Sequence, residues 1–238
     1  MGRKLVVFDV DGTLTETFRI DEICFLRSMA SALGLHEVNP DWASYSDCTD
    51  VGVVREAFLS RFGRYPTGRE LAGYVEAFVR LLEEAHRSDP TAFSAVKGAS
   101  QLLEALAATG EWSVSIATGC WERSARLKLR LAHLSVDGLP FASCDDSPSR
   151  EVVVRTSIQR AEANVQDSFE RIVLVGDGVW DVRTARGLRH SFVGRGIGRR
   201  ARTLVHAGAT RVLADFSDVA ETMTNLDGAD VPSPERLE

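Results

Sequence analysis

The sequence predicts an α/β protein with a doubly wound parallel sheet and a small helical cap. Short apolar runs alternate with segments of helical periodicity, which is typical of a parallel sheet covered by helices on both faces. One interval of about 80 residues breaks this alternation and contains helical patterns alone. With 238 residues, of which 44% are hydrophobic, the chain is long enough to bury such a core.

Six apolar runs are predicted as strands because each is short and bounded by polar or glycine-containing segments. They are Leu5–Phe8, Trp112–Ala117, Phe141–Cys144, Ile172–Val175, Ser191–Val193 and Arg211–Leu213. Helices are predicted at Lys97–Ala108, Trp121–Leu134, Pro148–Asn164, Asp181–Gly187 and Arg199–Ala207. Ser147 is predicted as the N-cap of the third of these helices, with Pro148 as its first residue.

The interval after the first strand predicts a separate helical unit. Its helices are expected at Ile20–Leu33, Val51–Phe62 and Gly68–Arg87, with apolar residues at helical spacing. We therefore predict a core domain of residues 1–14 and 96–224, and a cap domain of residues 15–95 over the C-terminal end of the first strand. The polar segment 225–238 is expected to be a loose tail.

Charge and hydropathy exclude several classes of function. The net charge of −6 and the pI near 5.5 argue against a nucleic-acid surface. No apolar run approaches the roughly 20 residues of a membrane helix, and the four cysteines have neither zinc-ligand nor disulfide spacing. We expect a cytoplasmic protein, monomeric or homodimeric, with no nucleic-acid or membrane partner.

Chemically active residues follow the C-terminal ends of four predicted strands. The stretches are "DVDGT" at 9–13, "SIATG" at 115–119, "DDSPSR" at 145–150 and "VLVGDGVWD" at 173–181. In a parallel sheet the ligand crevice lies beyond these ends. Acids, a hydroxyl and a basic group at one edge are what metal-assisted phosphoryl transfer requires.

In this order, the four stretches resemble the motifs of the haloacid dehalogenase superfamily. The closest resemblance is to its phosphatases with a helical cap after the first motif, of the phosphoglycolate-phosphatase-like or sugar-phosphatase type, and it extends to about residue 222. It implies a Rossmann-like core, Mg²⁺ as cofactor, and a small phosphorylated molecule as substrate. The implied reaction is hydrolysis of a phosphomonoester through an aspartyl-phosphate intermediate.

Asp9 and Asp11 are two residues apart, so in an extended segment both can face one cavity. Asp9 is predicted to attack phosphorus, which divides hydrolysis into two easier displacements. Asp11 is predicted to protonate the leaving alcohol and then to activate water. Gly12 allows the chain to turn between them and the following threonine.

The second and fourth motifs are predicted to bind phosphate and metal. The hydroxyl of Thr118 and the backbone N–H of Gly119 would hold the transferring phosphoryl group. Asp177 is the expected magnesium ligand, together with Asp9 and the backbone carbonyl of Asp11, because Mg²⁺ prefers oxygen ligands. Asp181 would either hold a metal-bound water or fix the basic residue of the third motif.

Arginine is predicted in the third motif, where lysine is common in the superfamily. Arg150 and Arg155 are five residues apart and point about 140° from each other on one helix, so only one can reach the site. We favour Arg150 because it lies in the first turn after the strand. An arginine can bind two phosphate oxygens but cannot give up a proton, so its predicted role is charge and positioning.

Three alternatives use similar residues. A phosphonate hydrolase would want a cap lysine for a Schiff base, and residues 15–95 contain none. A non-catalytic phospho-acceptor or binding module of the receiver type has no use for a helical cap. A phosphomutase on the same scaffold stays open beside the phosphatase.

Overall fold

A computed structural model describes residues 2–235 and contains one six-stranded parallel sheet, ordered β3-β2-β1-β4-β5-β6. The predicted doubly wound α/β fold is confirmed. The strands are β1 (Lys4–Phe8), β2 (Trp112–Ala117), β3 (Phe141–Ala142), β4 (Arg171–Gly176), β5 (Ser191–Arg195) and β6 (Val212–Leu213).

The central strand β1 explains why the motifs converge. Phe8 is in register with Ile116 of β2 and Val175 of β4, so these three strands end at the same level. Successive residues of β1 enter opposite apolar clusters, Val6 and Phe8 on one face of the sheet and Leu5 and Val7 on the other. Because β1 is buried on both faces, its sequence is a continuous apolar run.

Six helices cover the two faces of the sheet in the described part of the chain. They are α4 (Ala99–Thr109), α5 (Glu122–Leu131), α6 (Arg150–Val165), α7 (Val179–Leu188), α8 (Gly198–His206) and α9 (Val219–Asp227). Between residues 2 and 235, the structure has no helix with the length and apolar character that a membrane crossing requires.

Three further helices lie between β1 and α4, where the sequence predicts a cap. They are α1 (Phe18–Leu33), α2 (Asp50–Phe62) and α3 (Gly68–Ser88). Phe25, Tyr74 and Phe78 form the centre of their apolar cluster, which also includes Trp121 and Leu127 from outside the predicted cap. The cap thus packs directly on the α5 region, and its boundaries at 15 and 95 stay a prediction.

The start of α6 differs from the prediction. The helix begins at Arg150 with Ser149 as its N-cap residue, rather than at Pro148 after Ser147. The Ser147 hydroxyl instead accepts a hydrogen bond from the backbone N–H of Ser149, and the Pro148 carbonyl accepts one from Thr49 of the cap. Ser147 therefore stabilises a local turn before the helix and is not the N-cap residue of α6.

The expected loose tail from Asn225 is wrong for most of its described length. Residues 225–227 end α9, and Ala229 is buried in the core. The Asp230 carbonyl accepts from the backbone N–H of Phe192 in β5, and the backbone N–H of Ser233 donates to Gly208. These backbone hydrogen bonds hold the segment against the edge of the sheet. Residues 236–238 of the predicted tail lie outside the described residues.

Candidate active site

A cavity of about 100 Å³ lies where the ends of β1, β2 and β4 meet the cap. Its wall contains residues from all four predicted motifs, namely Asp9, Asp11, Thr118, Gly119, Arg150 and Asp177. These are the residues predicted from four separate stretches of sequence, so the parallel sheet has brought them to one place. Asp181 lies behind the wall and contacts Arg150.

Asp9 is almost completely buried at the end of β1. Its Oδ1 accepts a hydrogen bond of 2.8 Å from Arg150 Nη2, and its Oδ2 accepts a longer one of 3.4 Å from the Thr13 hydroxyl. Burial raises the pKa of Asp9 to about 7, although the charge of Arg150 opposes this effect. A further cation beside Asp9 would therefore stabilise the ionised form that a nucleophile needs.

Arg150 connects Asp9 with Asp181. Arg150 Nε and Nη2 donate to Asp181 Oδ1 at 2.9 and 2.6 Å, while Asp181 Oδ2 accepts from the backbone N–H of Gly178. Burial alone would lower the pKa of Arg150, but the charges of Asp181 and Asp9 raise it, so the guanidinium stays charged. Arg155 lies on the exposed side of α6. Of the two arginines considered for the third motif, the structure brings Arg150 to the site.

The Thr-Gly pair follows β2 on the opposite side of the cavity from the acids of β4. Thr118 is buried, and its hydroxyl accepts from the backbone N–H of Cys120. Gly119 lies so close to Arg150 that an added Cβ would be 2.5 Å from Nη1 of the arginine. Glycine at this position therefore permits the close approach of the guanidinium to the second motif.

The acids at the ends of β1 and β4 form a candidate metal centre. Asp9, Asp177 and Asp181 each place a carboxylate oxygen within 4.8 Å of the others. Gly12 passes so near that an added Cβ would be 1.9 Å from Asp177 Oδ2. Burial raises the pKa of Asp177 well above its usual value, although Arg200 Nη1 donates to its Oδ2 at 2.5 Å. A buried set of oxygen donors fits a hard divalent cation.

Asp181 fits this metal centre less well than Asp9 and Asp177. Both of its carboxylate oxygens already accept hydrogen bonds, from Arg150 and from the backbone of Gly178. Of the two roles expected for Asp181, the contacts favour fixing the basic residue of the third motif. The direct ligands expected from the sequence, Asp9 and Asp177, are the two acids of this set that line the cavity.

A second cluster surrounds the other predicted catalytic acid, Asp11. Lys128 is fully buried, and its Nζ donates to Asp11 Oδ2 at 2.5 Å and also to Asp21 of the cap. The Thr17 hydroxyl donates to Asp11 Oδ1 at 2.5 Å, and the Cys120 thiol donates to Oδ2 at 3.0 Å. Asp11, Asp21 and Cys120 have the spacing of metal ligands, but the ammonium of Lys128 already supplies a cation there.

The electrostatics of this cluster depend on Lys128. Burial alone would lower the pKa of Lys128, but the charges of Asp11 and Asp21 raise it well above its usual value. Burial raises the pKa of Asp21 to about 7 even though Lys128 opposes the shift. One ammonium thus compensates two buried carboxyl groups, one from the core and one from the cap.

The sequence prediction missed Lys128, Asp21 and Arg200. Lys128 had a detectable signal, because it stands three residues after Ala125 and four after Ser124, both of which face the interior. A lysine on the buried stripe of a helix requires a carboxylate partner. Arg200 lies in the first turn of α8, close to the predicted start of that helix at Arg199. No local pattern indicated that it would reach Asp177.

Comparison with protein families identifies the class to which this site belongs. The family model of haloacid dehalogenase-like hydrolases matches residues 3–188. The chain therefore belongs to the haloacid dehalogenase-like hydrolase family, as its motifs indicated. Hydrolases of this superfamily generally use a divalent metal, and the acids described above are able to bind one.

Several solved structures share the fold over nearly the whole chain. A hydrolase from Pseudomonas syringae has a TM-score of 0.70 and 19% identity, with 95% of this chain and 99% of that chain covered. A putative beta-phosphoglucomutase from Bacteroides vulgatus has a TM-score of 0.67 and 14% identity, covering 95% and 89%. A predicted phosphoglycolate phosphatase from Haemophilus somnus has a TM-score of 0.60 and 15% identity, covering 93% and 98%. No curated protein has a matching sequence.

Proposed function

We propose that this protein is a magnesium-dependent phosphatase that hydrolyses a small-molecule phosphomonoester through an aspartyl-phosphate on Asp9. The observation that carries the proposal is the position of Asp9, a buried carboxylate held by Arg150 on the wall of a cavity that also contains Asp11, Thr118 and Asp177. The cavity provides, side by side, a nucleophile, an acid, and donors for a phosphoryl group.

In the first step, a carboxylate oxygen of Asp9 attacks phosphorus, and the bond from phosphorus to the alcohol oxygen breaks. Asp11 enters this step in its protonated form and gives that proton to the oxygen, so a neutral alcohol leaves. Thr13 and Arg150 orient Asp9 for the attack. The Thr118 hydroxyl and the Gly119 backbone N–H, both on the cavity wall, are assigned to hold the transferring phosphoryl oxygens.

In the second step, water attacks the phosphorus of the aspartyl-phosphate, and Asp11 takes the proton of that water. The bond between phosphorus and Asp9 breaks, which returns the carboxylate and releases inorganic phosphate. Thr17 and Lys128 hold Asp11 from two sides, which keeps its carboxyl group in place for both steps.

Mg²⁺ is the proposed cofactor, with Asp9, Asp177 and the backbone carbonyl of Asp11 as its protein ligands. When bound, the ion would neutralise part of the negative charge that repels a phosphate from this acidic cavity. The sequence-based assignment of Asp181 to the metal is replaced here by a positioning role, because its oxygens bind Arg150 and Gly178.

The experiment that tests the proposal is phosphate release from p-nitrophenyl phosphate and a panel of small phosphomonoesters. We expect release in Mg²⁺, loss of release in excess chelator, and recovery when Mg²⁺ is returned. Alcohol and phosphate should form in equal amounts, which distinguishes hydrolysis from transfer within a mutase. Undiminished release in excess chelator would contradict the metal assignment, and no release from any ester would contradict the function.

Arg150→Ala is expected to lower kcat/KM far more than Arg155→Ala. Arg150 contacts Asp9 directly, whereas Arg155 is exposed on the same helix. Removal of a charged group that orients the nucleophile typically costs about 10² or more in rate. Steady-state kinetics of both variants, with thermal denaturation to verify folding, checks this ranking. The reverse ranking in two folded variants would assign the third motif to Arg155.

A further inference from the structure

The cap contributes an aromatic and acidic wall to the active-site cavity. Phe18, Asp21, Glu22 and Phe25 line the cavity from α1, where their spacing of three, four and seven residues places them on one helix face. Trp42 adds a second aromatic surface, with its ring centroid 5.7 Å from that of Phe25 and nearly perpendicular to it. Because the phosphoryl group is assigned to the core residues of the cavity, we expect this wall to face the part of a substrate that leaves as the alcohol.

The wall is rich in carboxyl groups. Within residues 2–235, the cap's share of the cavity lining includes the carboxyl groups of Asp21, Glu22 and Asp50, and neither lysine, arginine nor histidine. Lys128 compensates one of these carboxyls, but it is shared with Asp11. On the lining described between residues 2 and 235, the basic residue is Arg150 of the core, which is bound to Asp9 and Asp181. Arg200, outside the lining, lies over the ring of Phe18 and donates to Asp177.

The two acids not bound to Lys128 are fixed in place. Glu22 Oε1 accepts a hydrogen bond of 2.9 Å from the indole N–H of Trp42. Asp50 Oδ2 accepts one of 3.2 Å from the backbone N–H of Trp121. Burial, followed by the charge of Asp21, raises the pKa of Asp50 well above its usual value. A positive charge brought into the cavity would therefore favour the ionised form of Asp50 and be attracted to it.

Aromatic faces beside carboxylates are the recognised environment for an ammonium group, because the ring quadrupole and the acids both attract a cation. The same wall disfavours a second anion, which would lose its water next to the carboxyl groups. The two nearby arginines, Arg150 and Arg200, are already bound to aspartates of the core. A substrate with a carboxylate or a second phosphate in its alcohol part is therefore disfavoured.

We propose, building on the phosphatase function above, that the substrate is the phosphomonoester of a small amino alcohol. Its ammonium group lies among the aromatic rings of Phe25 and Trp42 and the carboxylate of Glu22, while its phosphoryl group reaches Asp9. This assigns the face of α1 in the cavity as the specificity determinant of the enzyme.

The test uses three phosphomonoesters with two-carbon alcohol parts that differ in charge: ethanolamine phosphate, ethyl phosphate and phosphoglycolate. We expect kcat/KM in Mg²⁺ to fall in that order, by about tenfold or more between the first and the last. Equal values for ethanolamine phosphate and ethyl phosphate, or the highest value for phosphoglycolate, would overturn the proposal. So would hydrolysis of p-nitrophenyl phosphate alone. Failure of these three esters together with p-nitrophenyl phosphate and the rest of the panel above would overturn the phosphatase function itself.

A matched pair of variants locates the effect. Glu22→Gln removes a charge from the cavity wall, and Glu83→Gln removes one from the exposed side of the cap. Glu22→Gln should lower kcat/KM for ethanolamine phosphate about tenfold and change it for ethyl phosphate less than about twofold. Glu83→Gln should change neither. Equal losses on both substrates in Glu22→Gln would overturn the assignment of Glu22 to the ammonium group.

Discussion

Replacing Asp9 with Asn is expected to reduce phosphate release at least a hundredfold, and typically by several orders of magnitude. The Asn side chain keeps the size of Asp9 but lacks the carboxylate that attacks phosphorus. The measurement is steady-state phosphate release in Mg²⁺ from the best ester of the panel. Retention of more than about a hundredth of the wild-type rate would contradict the assignment of Asp9 as nucleophile.

The fold should survive this substitution. Asp9 is a buried carboxyl whose pKa is raised by burial, so removal of its charge does not add a desolvation cost. Arg150 retains its contacts with Asp181. Asp137→Asn makes the same chemical change at an exposed position and should leave the rate unchanged. Thermal denaturation of both variants separates a loss of chemistry from a loss of fold.

Lys128→Met is expected to lower the free energy of unfolding by about 3–5 kcal/mol, because it leaves two buried carboxyl groups without their shared cation. Those groups, Asp11 and Asp21, both accept hydrogen bonds from the Lys128 ammonium, which is fully buried. Methionine has a similar length and fits an apolar helix face, so the change mainly removes charge. Urea denaturation measures the free energy of unfolding.

Two further variants make this prediction specific. Lys97→Met alters an exposed lysine and should change the free energy of unfolding by less than about 0.5 kcal/mol. The double variant Lys128→Met/Asp21→Asn removes one of the two uncompensated acids and should recover part of the lost stability. Wild-type stability of Lys128→Met, or no recovery in the double variant, would show that the ion pairs contribute little to the fold.

The sheet could be predicted from sequence because its strands are buried on both faces. Leu5, Val6, Val7 and Phe8 are all almost inaccessible to solvent, so the run has no polar interruption. The end of such a run then marks the edge of the sheet where ligands bind. For this reason the sequence alone predicts that Asp9, Asp177 and the Thr-Gly pair lie together.

Elements at the edge of the sheet were harder to predict. The short strands β3 and β6 contain two residues each and end earlier or begin later than their apolar runs. The helix α9 and the segment after it are polar in sequence, yet they contribute Leu226 and Ala229 to the core. The Asp230 carbonyl, after the helix, accepts a hydrogen bond from Phe192 of β5. These segments adopt a defined structure because of tertiary contacts, which amino-acid composition does not reveal.

The cluster around Asp11 depends on docking between the cap and the core. Lys128 of α5 and Asp21 of α1 are 107 residues apart and meet where the cap packs on the core. Lysine and aspartate are both common on protein surfaces, so neither residue alone indicates a buried ion pair. The lysine could have been singled out by its position on a buried helix face, but its partners could not, because the orientation of the cap is set by packing against Trp121 and Leu127.

Identification of the phosphorylated residue during turnover tests the role of Asp9 most directly. The protein would be mixed with the best phosphomonoester in Mg²⁺, quenched in acid within one turnover, digested, and mapped by mass spectrometry. We predict one phosphoryl group on the peptide that contains Asp9, removable by hydroxylamine as an acyl phosphate is, and absent from Asp9→Asn. A phosphoryl group on another residue, or undiminished turnover in Asp9→Asn, would contradict the account.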